Sequence, residues 1–282
     1  MSINTNSVPP SQHIYQRAAQ LIYSAEALLV TAGAGMGVDS GLPDFRGKNG
    51  FYTAYPQFRL SGRDFRNVAS PFFFTEHPRQ AWGFYTHRFH LYRNATPHSG
   101  YKIIADWLAV KNGFVFTTNV DGHFLKAGCD ENSVIEYHGS INHLQCFHHC
   151  TDAVFKLDTL NLTVNPADLS ATGDLPVCPV CGGMARPNIL MFNDTQWNET
   201  RTNAQMQRYI DWQEKSKGKK LVVLEIGAGS AIPSARIQLP DFPRIRINPF
   251  ECDEPSSGVA IRSGAAVALT EINRHLHRLL QK

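Results

Sequence analysis

The chain has 282 residues, of which 18% are charged and 43% hydrophobic, and its formal net charge is +3. This length accommodates one large domain, or one domain with a smaller companion. The weak positive charge, without a long basic run, argues against direct binding of nucleic acid by bulk electrostatics, and no apolar stretch approaches the roughly 20 residues that span a bilayer.

The N-terminal residues 1–10 are polar and lack the basic-then-apolar pattern of a signal peptide. We therefore expect a cytoplasmic protein, in which clustered cysteines favour a bound metal over disulfides. Ser11 is suited to cap a helix that runs to about Ser24. The apolar residues of this segment repeat at helical spacing and predict one buried face: Ile14, Ala18, Leu21, Ile22 and Ala25.

The next stretch, residues 26–47, combines a buried strand with a glycine-rich turn. The apolar run 28–30 predicts the strand, and glycines alternate with other residues over 33–37. Glycines permit positive φ and let a backbone approach a ligand closely, and free N–H groups at the start of a helix suit a pyrophosphate. A tight strand-to-helix turn without a ligand is the alternative. The segment 43–47 then places an acid, an aromatic ring and a base in a loop stiffened by proline.

Residues 48–94 are dense in aromatic side chains and are interrupted by Pro56, Pro71 and Pro78. This pattern predicts a helical insertion with an apolar interior, outside any sheet. Tyr85 and Arg88 are three residues apart, so on a helix they share a face. A phenol beside a guanidinium is a good receptor for a carboxylate, although a pair of surface neighbours is the alternative.

Four further strands are predicted at 113–119, 134–137, 220–226 and 244–248, and helices are predicted at 99–111, 199–215 and 265–280. Each strand ends in polar or glycine-rich sequence. In doubly wound sheets, ligands bind at the carboxyl ends of the strands. The strand-end residues that we single out are Asn119, Asp121, His138, Gly227, Ala228, Gly229, Ser230 and Asn248.

Two close cysteine pairs separated by a loop match a tetrahedral four-thiolate zinc site. The four predicted ligands are Cys146, Cys150, Cys178 and Cys181. Four thiolates fill the coordination shell, so we expect the metal to be structural and not catalytic. His148 and His149 lie inside the first pair and are alternative ligands, whereas Cys129 and Cys252 are unpaired by spacing and are interpreted as ordinary thiols.

The order of these segments resembles that of the sirtuin family, the NAD-dependent protein deacylases. The matching segments are Gly-Ala-Gly at 33–35, Pro-Asp-Phe-Arg-Gly at 43–47, Thr-Thr-Asn-Val-Asp at 117–121, His-Gly-Ser at 138–140, the two cysteine pairs, Arg-Pro with a following Phe at 186–192, and Gly-Ala-Gly-Ser at 227–230. The resemblance covers about residues 26–280. The departures are Met36-Gly37 where the family usually has Ser, Thr118 for Gln, His123-Phe124 for Leu-His, Ala228-Gly229 within the Gly-Thr-Ser turn, and Asn193-Asp194 for Gly-Glu.

The resemblance implies an α/β fold with a Rossmann-like doubly wound parallel sheet. The large NAD-binding domain would comprise residues 1–46, 93–141 and 187–282. A smaller domain would be made of the helical insertion 47–92 and the zinc-binding insertion 142–186. The cleft between the two would bind NAD and an acyl-lysine protein or peptide.

The resemblance also assigns roles to individual residues. His138, Asn119 and Asp121 would be catalytic, and Arg46 with the amides of Ala34 and Gly35 would hold phosphate. The NAD-binding set would be Ala32, Gly33, Ala34, Gly35, Asp44, Phe45, Arg46, Asn119, Asp121, Gly227, Ala228, Gly229, Ser230 and Asn248. The substrate-binding set would be Met191 and Phe192 on the peptide strand, and Tyr85 and Arg88, a pair that in some sirtuins binds the acidic end of succinyl- or malonyl-lysine.

In the reaction that the resemblance implies, the acyl oxygen attacks the ribose carbon of NAD and nicotinamide leaves. His138 then takes a proton from a ribose hydroxyl, a role that suits a side chain titrating near neutrality. The products would be lysine, nicotinamide and O-acyl-ADP-ribose. Because of the departures, an ADP-ribosyltransferase or NAD hydrolase is one alternative, and a catalytically inactive NAD-sensing module is another.

Overall fold

The computed structural model describes residues 12–43, 47–59 and 61–281. In chain order, the strands are β1 (Ala27–Ala32), β2 (Asn112–Thr117), β3 (Val134–Glu136), β4 (Gly139–Cys146), β5 (Phe155–Lys156), β6 (Thr163–Val164), β7 (Ala171–Thr172), β8 (Ala185–Ile189), β9 (Leu221–Ile226), β10 (Arg244–Ile247) and β11 (Gly258–Ile261). The α-helices are α1 (Gln12–Ser24), α2 (Gly47–Ala54), α3 (Phe65–Val68), α4 (Pro71–Glu76), α5 (Pro78–Asn94), α6 (Ser99–Val110), α7 (His123–Lys126), α8 (Thr200–Lys215) and α9 (Ala265–Leu280). Within those ranges, no helix is both long and apolar enough to cross a membrane.

The centre of the molecule is a six-stranded sheet with the order β11-β10-β9-β1-β2-β3, in which every neighbouring pair is parallel. The chain builds outward from β1 in one direction and then resumes at β9 in the other, so the strand order reverses between these two strands. This is a doubly wound α/β sheet, as predicted, and ligands of such sheets bind at the reversal point. β11 was not predicted, because its four residues begin with a glycine and only two of them are buried.

Helices cover both faces of this sheet. Leu28 and Val30 of β1 face an apolar core formed with α1, α6 and α9, whereas Leu29 faces a smaller core with Tyr209 and Trp212 of α8. Alternate residues of one strand therefore meet opposite helical layers, which explains why the whole of β1 is apolar or buried. The predicted N-terminal helix is confirmed from Gln12, and its predicted capping residue lies outside the described residues.

A second apolar core lies beside the sheet and joins the two predicted insertions. Helices α2–α5 contribute aromatic residues such as Phe51, Phe74 and Trp82, and this core also includes residues from the segment around β4–β8. Strands β4, β5 and β8 form a three-stranded antiparallel sheet with the order β5-β4-β8, and β6 pairs with β7. The Trp82 indole N–H donates to the carbonyl of Ala185 at 3.2 Å and links α5 to β8. The helical nature of residues 65–94 is as predicted, and the division of the chain into two domains stays a prediction.

Candidate active-site cleft

A cleft of about 950 Å³ lies where the carboxyl ends of β1, β2, β3 and β9 meet the second apolar core. Most of the residues singled out from sequence line it together. They are Gly33, Ala34, Gly35, Tyr85, Arg88, Asn119, Asp121, His138, Met191, Phe192, Gly227, Ala228 and Gly229. Residues that are up to 196 positions apart in sequence therefore share one cavity, because parallel strands bring their carboxyl ends to one edge of the sheet.

Three predicted residues are not among the described residues that line this cleft: Ala32, Ser230 and Asn248. Ala32 is fully buried within β1, and Ser230 is exposed. The Asn248 side chain donates to the carbonyl of Ala228 at 3.0 Å and accepts the backbone N–H groups of Phe250 and Glu251, so it braces the turn after β9 from behind. Asp44, Phe45 and Arg46 lie outside the described residues, so their predicted contacts stay predictions.

The two glycine turns pack directly against each other. A Cβ on Gly35 would lie 2.7 Å from the Cα of Gly227, and a Cβ on Gly227 would lie 2.3 Å from the Met36 nitrogen. Gly227 also has φ +59, a conformation that suits glycine. The Gly35 N–H donates to the carbonyl of Gly227 at 3.0 Å. The Gly35 amide thus has an acceptor within the protein, and its contact with phosphate stays a prediction.

Asn119 ties the end of β2 to the first glycine turn. Its side-chain amide donates to the carbonyl of Gly33 at 3.0 Å, and its backbone N–H donates to the hydroxyl of Thr117 at 3.1 Å. Asp121 accepts the backbone N–H of His123 at 2.8 Å. Burial raises the pKa of Asp121, and the neighbouring His123 and Arg88 oppose that rise. Asn119 is thus held against the first glycine turn, and Asp121 is held by the start of α7.

His138 comes two residues after the end of β3 and lines the cleft together with Thr118 and Asn119, which follow β2. Its carbonyl accepts the backbone N–H of Leu190 at 2.9 Å, which ties its backbone to the first residue after β8. Burial lowers the pKa of His138, and a hydrogen bond to the Thr118 backbone partly opposes that shift. The imidazole is therefore mainly neutral near pH 7, which is the form that accepts a proton.

Tyr85 and Arg88 are both buried, at 1% and 6% exposure, which excludes the alternative of a surface pair. The Arg88 guanidinium carbon lies 5.3 Å from the ring centroids of Phe84 and Tyr92 and 5.7 Å from that of Tyr85. The Tyr85 hydroxyl has no hydrogen-bond partner among the described residues. A buried hydroxyl without a partner is costly, so this wall of the cleft fits an anionic ligand group that accepts a hydrogen bond.

Glu251 lines the cleft near the second glycine turn and was not predicted. Its carboxylate accepts the Ser230 backbone N–H at 2.6 Å and lies 3.4 Å from Arg236. Arg236 also reaches the buried carboxylate of Glu225, which pairs with Arg244 at 2.7 Å. The one sequence signal for Glu251 as a cleft residue was its position, shortly after a predicted strand that ends in a polar residue. Arg246 also lies 2.7 Å from Glu225, and the local sequence gave no indication that three arginines would meet this carboxylate.

The predicted peptide strand corresponds to β8, which ends at Ile189, and the residues that follow it; Met191 and Phe192 line the cleft without being part of a strand. The Phe192 N–H donates to the carbonyl of Ala69 at 2.9 Å, and its ring contacts Phe65 edge-on at 5.6 Å. Asn193 then adopts φ +56, a conformation that asparagine tolerates better than most residues. This explains how the chain accommodates asparagine at the position where the resembling family has glycine.

The predicted zinc ligands, Cys146, Cys150, Cys178 and Cys181, come together at the far end of β4, with all four Sγ atoms within 4.8 Å of one another. Cys146 and Cys181 are separated by 3.7 Å, and Cys150 and Cys178 by 3.5 Å, measured between Sγ atoms. A tetrahedral zinc–thiolate centre with bonds of about 2.3 Å has sulfur–sulfur distances of about 3.8 Å. The four thiols therefore fit zinc with little adjustment, and none of them lines the cleft.

Comparisons with known proteins agree with this geometry. A sequence profile of the Sir2 family matches residues 33–213. An NAD-dependent protein deacylase of Mycobacterium tuberculosis is 30% identical over 268 residues, which cover 89% of this chain and 98% of that protein. A Fusarium oxysporum protein named "Probable bifunctional ADP-ribose hydrolase/ADP-ribosyltransferase" is 28% identical over 247 residues, which cover 82% of this chain and 40% of that protein. The crystal structure of a Sir2 homologue in complex with NAD superposes with a TM-score of 0.70 at 25% identity and covers 93% of both chains.

Proposed function

Because the chain belongs to the Sir2 family, we propose that it is an NAD-dependent deacylase of lysine side chains in proteins or peptides. The observation that carries this proposal is one cleft that contains a mainly neutral imidazole, His138, with Asn119, Asp121 and two opposed glycine turns. The M. tuberculosis relative, which this chain matches over nearly its whole length, is named for the same activity.

The cleft fits both substrates. The turns after β1 and β9 lie at the reversal point of the sheet, where dinucleotides bind in doubly wound folds, and Met191 and Phe192, just after β8, line the same cleft. NAD, when bound, supplies the ribose carbon that accepts the acyl oxygen and the nicotinamide that leaves. His138 takes the proton of a ribose hydroxyl at its neutral imidazole. Asn119 and Asp121 orient the sugar, because both are held by backbone hydrogen bonds at the edge of the sheet.

The proposed acyl group carries a carboxylate, as in succinyl- or malonyl-lysine. The support is the buried cation of Arg88 in the cleft wall and the unpartnered hydroxyl of Tyr85 three residues away on the same helix. A guanidinium and a phenol together bind a carboxylate through charge-assisted hydrogen bonds. An acetyl group offers no charge to this wall and leaves the Tyr85 hydroxyl without a partner.

The decisive experiment is a panel of acetyl-, butyryl-, malonyl- and succinyl-lysine peptides incubated with NAD, in which nicotinamide and the ribose product are both measured. We expect peptide-dependent nicotinamide release in parallel with O-acyl-ADP-ribose, with succinyl or malonyl peptides turned over fastest. His138→Ala should abolish acyl removal and leave NAD binding nearly intact in calorimetry. His90→Ala is the matched control, because His90 is exposed on α5 and does not line the cleft. Equal or faster acetyl turnover would contradict the acyl preference.

A second candidate function is ADP-ribosyl transfer or NAD hydrolysis. The similarity to the F. oxysporum protein favours it, as do the departures at Gly37 and Thr118 from the usual family residues. Thr118 lines the cleft, and its hydroxyl donates to the carbonyl of Ala32 at 3.3 Å instead of extending as a glutamine would. Steady nicotinamide release without any acylated peptide would favour this candidate over the deacylase. NAD binding without nicotinamide release under either condition would contradict both.

A further inference from the structure

Tyr92, near the end of α5, lines the cleft next to Arg88 but was not singled out from the sequence. The two residues are four apart, so on a helix their side chains lie on one face. The Arg88 Nε donates to the Tyr92 hydroxyl at 2.9 Å, and both side chains are buried. Tyr92 therefore touches the cation that forms the proposed carboxylate receptor.

The backbone of Tyr92 contacts the short helix α7. Its carbonyl lies 3.1 Å from the Nε2 of His123, a fully buried imidazole. The backbone N–H of His123 in turn donates to Asp121 at 2.8 Å. Three separate hydrogen bonds, joined through the covalent frames of His123 and Tyr92, thus connect Asp121 to Arg88. They join the loop that carries a proposed catalytic residue to the helix that carries the proposed acyl receptor.

The aromatic rings around Arg88 stabilise its charge, but they do not set its direction strongly. Cation–π attraction depends mainly on the distance of the charge from the ring face, and the guanidinium carbon lies at similar distances from Phe84, Tyr85 and Tyr92. A hydrogen bond from Nε fixes the plane of the guanidinium. When the guanidinium plane is fixed, its Nη1–Nη2 edge also has a defined orientation. This is the edge that forms paired hydrogen bonds with carboxylates.

We propose that Tyr92 is a positioning residue for acyl-chain specificity, because its hydroxyl orients Arg88 toward the terminal carboxylate of a dicarboxylic acyl-lysine. This inference rests on the proposed function. Burial raises the pKa of Tyr92, so the phenol is neutral and does not compete with the substrate carboxylate for the Arg88 charge. The Tyr92 hydroxyl accepts the bond from Arg88 and keeps its own proton, which is a further donor in the cleft.

The test is Tyr92→Phe, which keeps the ring against Arg88 and removes only the hydroxyl. Succinyl-lysine and butyryl-lysine peptides of one sequence form the substrate pair, since the two acyl chains match in length and differ in the terminal carboxylate. We expect the ratio of kcat/KM for succinyl over butyryl to fall about tenfold, which corresponds to about 1.4 kcal/mol, mainly through a higher KM for the succinyl peptide. Butyryl turnover should stay within about twofold of wild type, which also reports that the variant is folded.

Tyr101→Phe is the matched control. Tyr101 is also buried, its hydroxyl has no partner among the described residues, and it packs against the His123 ring at 5.6 Å without lining the cleft. We expect its succinyl-to-butyryl ratio to equal that of the wild type.

The outcomes separate the two proposals. If the wild-type enzyme does not prefer succinyl over butyryl, the proposed acyl preference fails and this inference fails with it. If the wild type prefers succinyl and Tyr92→Phe keeps the full ratio, only the role of Tyr92 is overturned. Equal losses for both peptides would also overturn it, because they indicate a structural role. A reduced ratio with unchanged butyryl turnover supports it.

Discussion

The ion pair between Arg186 and Asp194 is the most informative place to perturb this protein. The two side chains are 1% and 0% exposed, and two hydrogen bonds of 2.7 and 2.9 Å join them. The Asp194 oxygens also accept the backbone N–H groups of Met191 and Gln196, at 3.3 and 3.1 Å. One carboxylate therefore holds both the arginine of β8 and the turn that follows the predicted peptide strand.

Asp194→Asn keeps the volume of the side chain but replaces one acceptor oxygen with an N–H donor. Whichever way the amide turns, that donor faces a guanidinium N–H and a backbone N–H, so two of the four bonds are lost. The charge of Arg186 is then buried without a countercharge in this pair. Removing one partner of a buried ion pair costs about 3–5 kcal/mol, and we expect a loss near the lower limit because Arg186 keeps its bond to the carbonyl of Gln196 at 2.9 Å.

The assay is denaturant unfolding of the zinc-loaded protein, followed by tryptophan fluorescence, together with steady-state kinetics. The unfolding free energy of Asp194→Asn should fall by about 3 kcal/mol, and KM for the acyl peptide should rise while KM for NAD stays nearly constant. Asp106→Asn is the matched control. Its carboxylate lies 2.5 Å from Lys102, but the two side chains are 59% and 70% exposed, so we expect a loss of about 0.5 kcal/mol or less.

A loss below about 1 kcal/mol for Asp194→Asn, or equal losses for the two variants, would refute the argument that burial decides the energetic weight of this pair. An increase in KM for NAD without an increase for the peptide would refute the proposed link between Asp194 and the peptide strand.

Two further predictions concern pH and metal. Burial lowers the pKa of His138 from its ordinary 6.5, and only the neutral imidazole accepts a proton. We therefore expect kcat/KM for the acyl peptide to rise with pH through an apparent pKa below 6.5 and to stay flat above neutrality until other groups titrate. The control is His98→Gln, a histidine outside the cleft; a rise in kcat/KM that is centred above pH 7 and persists in this variant would contradict the prediction. Zinc analysis should give one equivalent per chain. Chelation or Cys178→Ser should lower the thermal midpoint of unfolding and abolish peptide turnover, because structural zinc contributes directly to folding. Cys252→Ser should retain the metal, since Cys252 is not part of the four-cysteine cluster, and full metal loss without a change in the midpoint would refute a structural role.

Some predicted features were correct because local sequence encodes them. Buried parallel strands are short apolar runs, so β1, β2, β3, β9 and β10 were each predicted from their own residues. The two cysteine pairs specified a metal site by spacing alone. The rule that ligands bind at the carboxyl ends of parallel strands then placed His138 and Asn119 in one cleft, without knowledge of any distance.

Other contacts of the predicted site residues were not foreseen, because they depend on pairings between distant segments. The Gly35 amide, which was predicted to hold phosphate, bonds to Gly227, a residue 192 positions later in the chain. Asn248 bonds to the carbonyl of Ala228, 20 positions earlier, and its contact with a nucleotide stays a prediction. Neither outcome has a local signal, because a hydrogen-bond partner is chosen by which strands become neighbours.

The sequence by itself determined the strands, the glycine turns, the thiolate ligands and the imidazole, because each follows from the chemistry of a few adjacent residues. Only the tertiary structure decided that Arg88 is buried beside Tyr92, that Asp194 is sealed against Arg186, and that Glu251 reaches the cleft. Burial and charge pairing set the energies of these groups, and both depend on contacts made after the chain has folded.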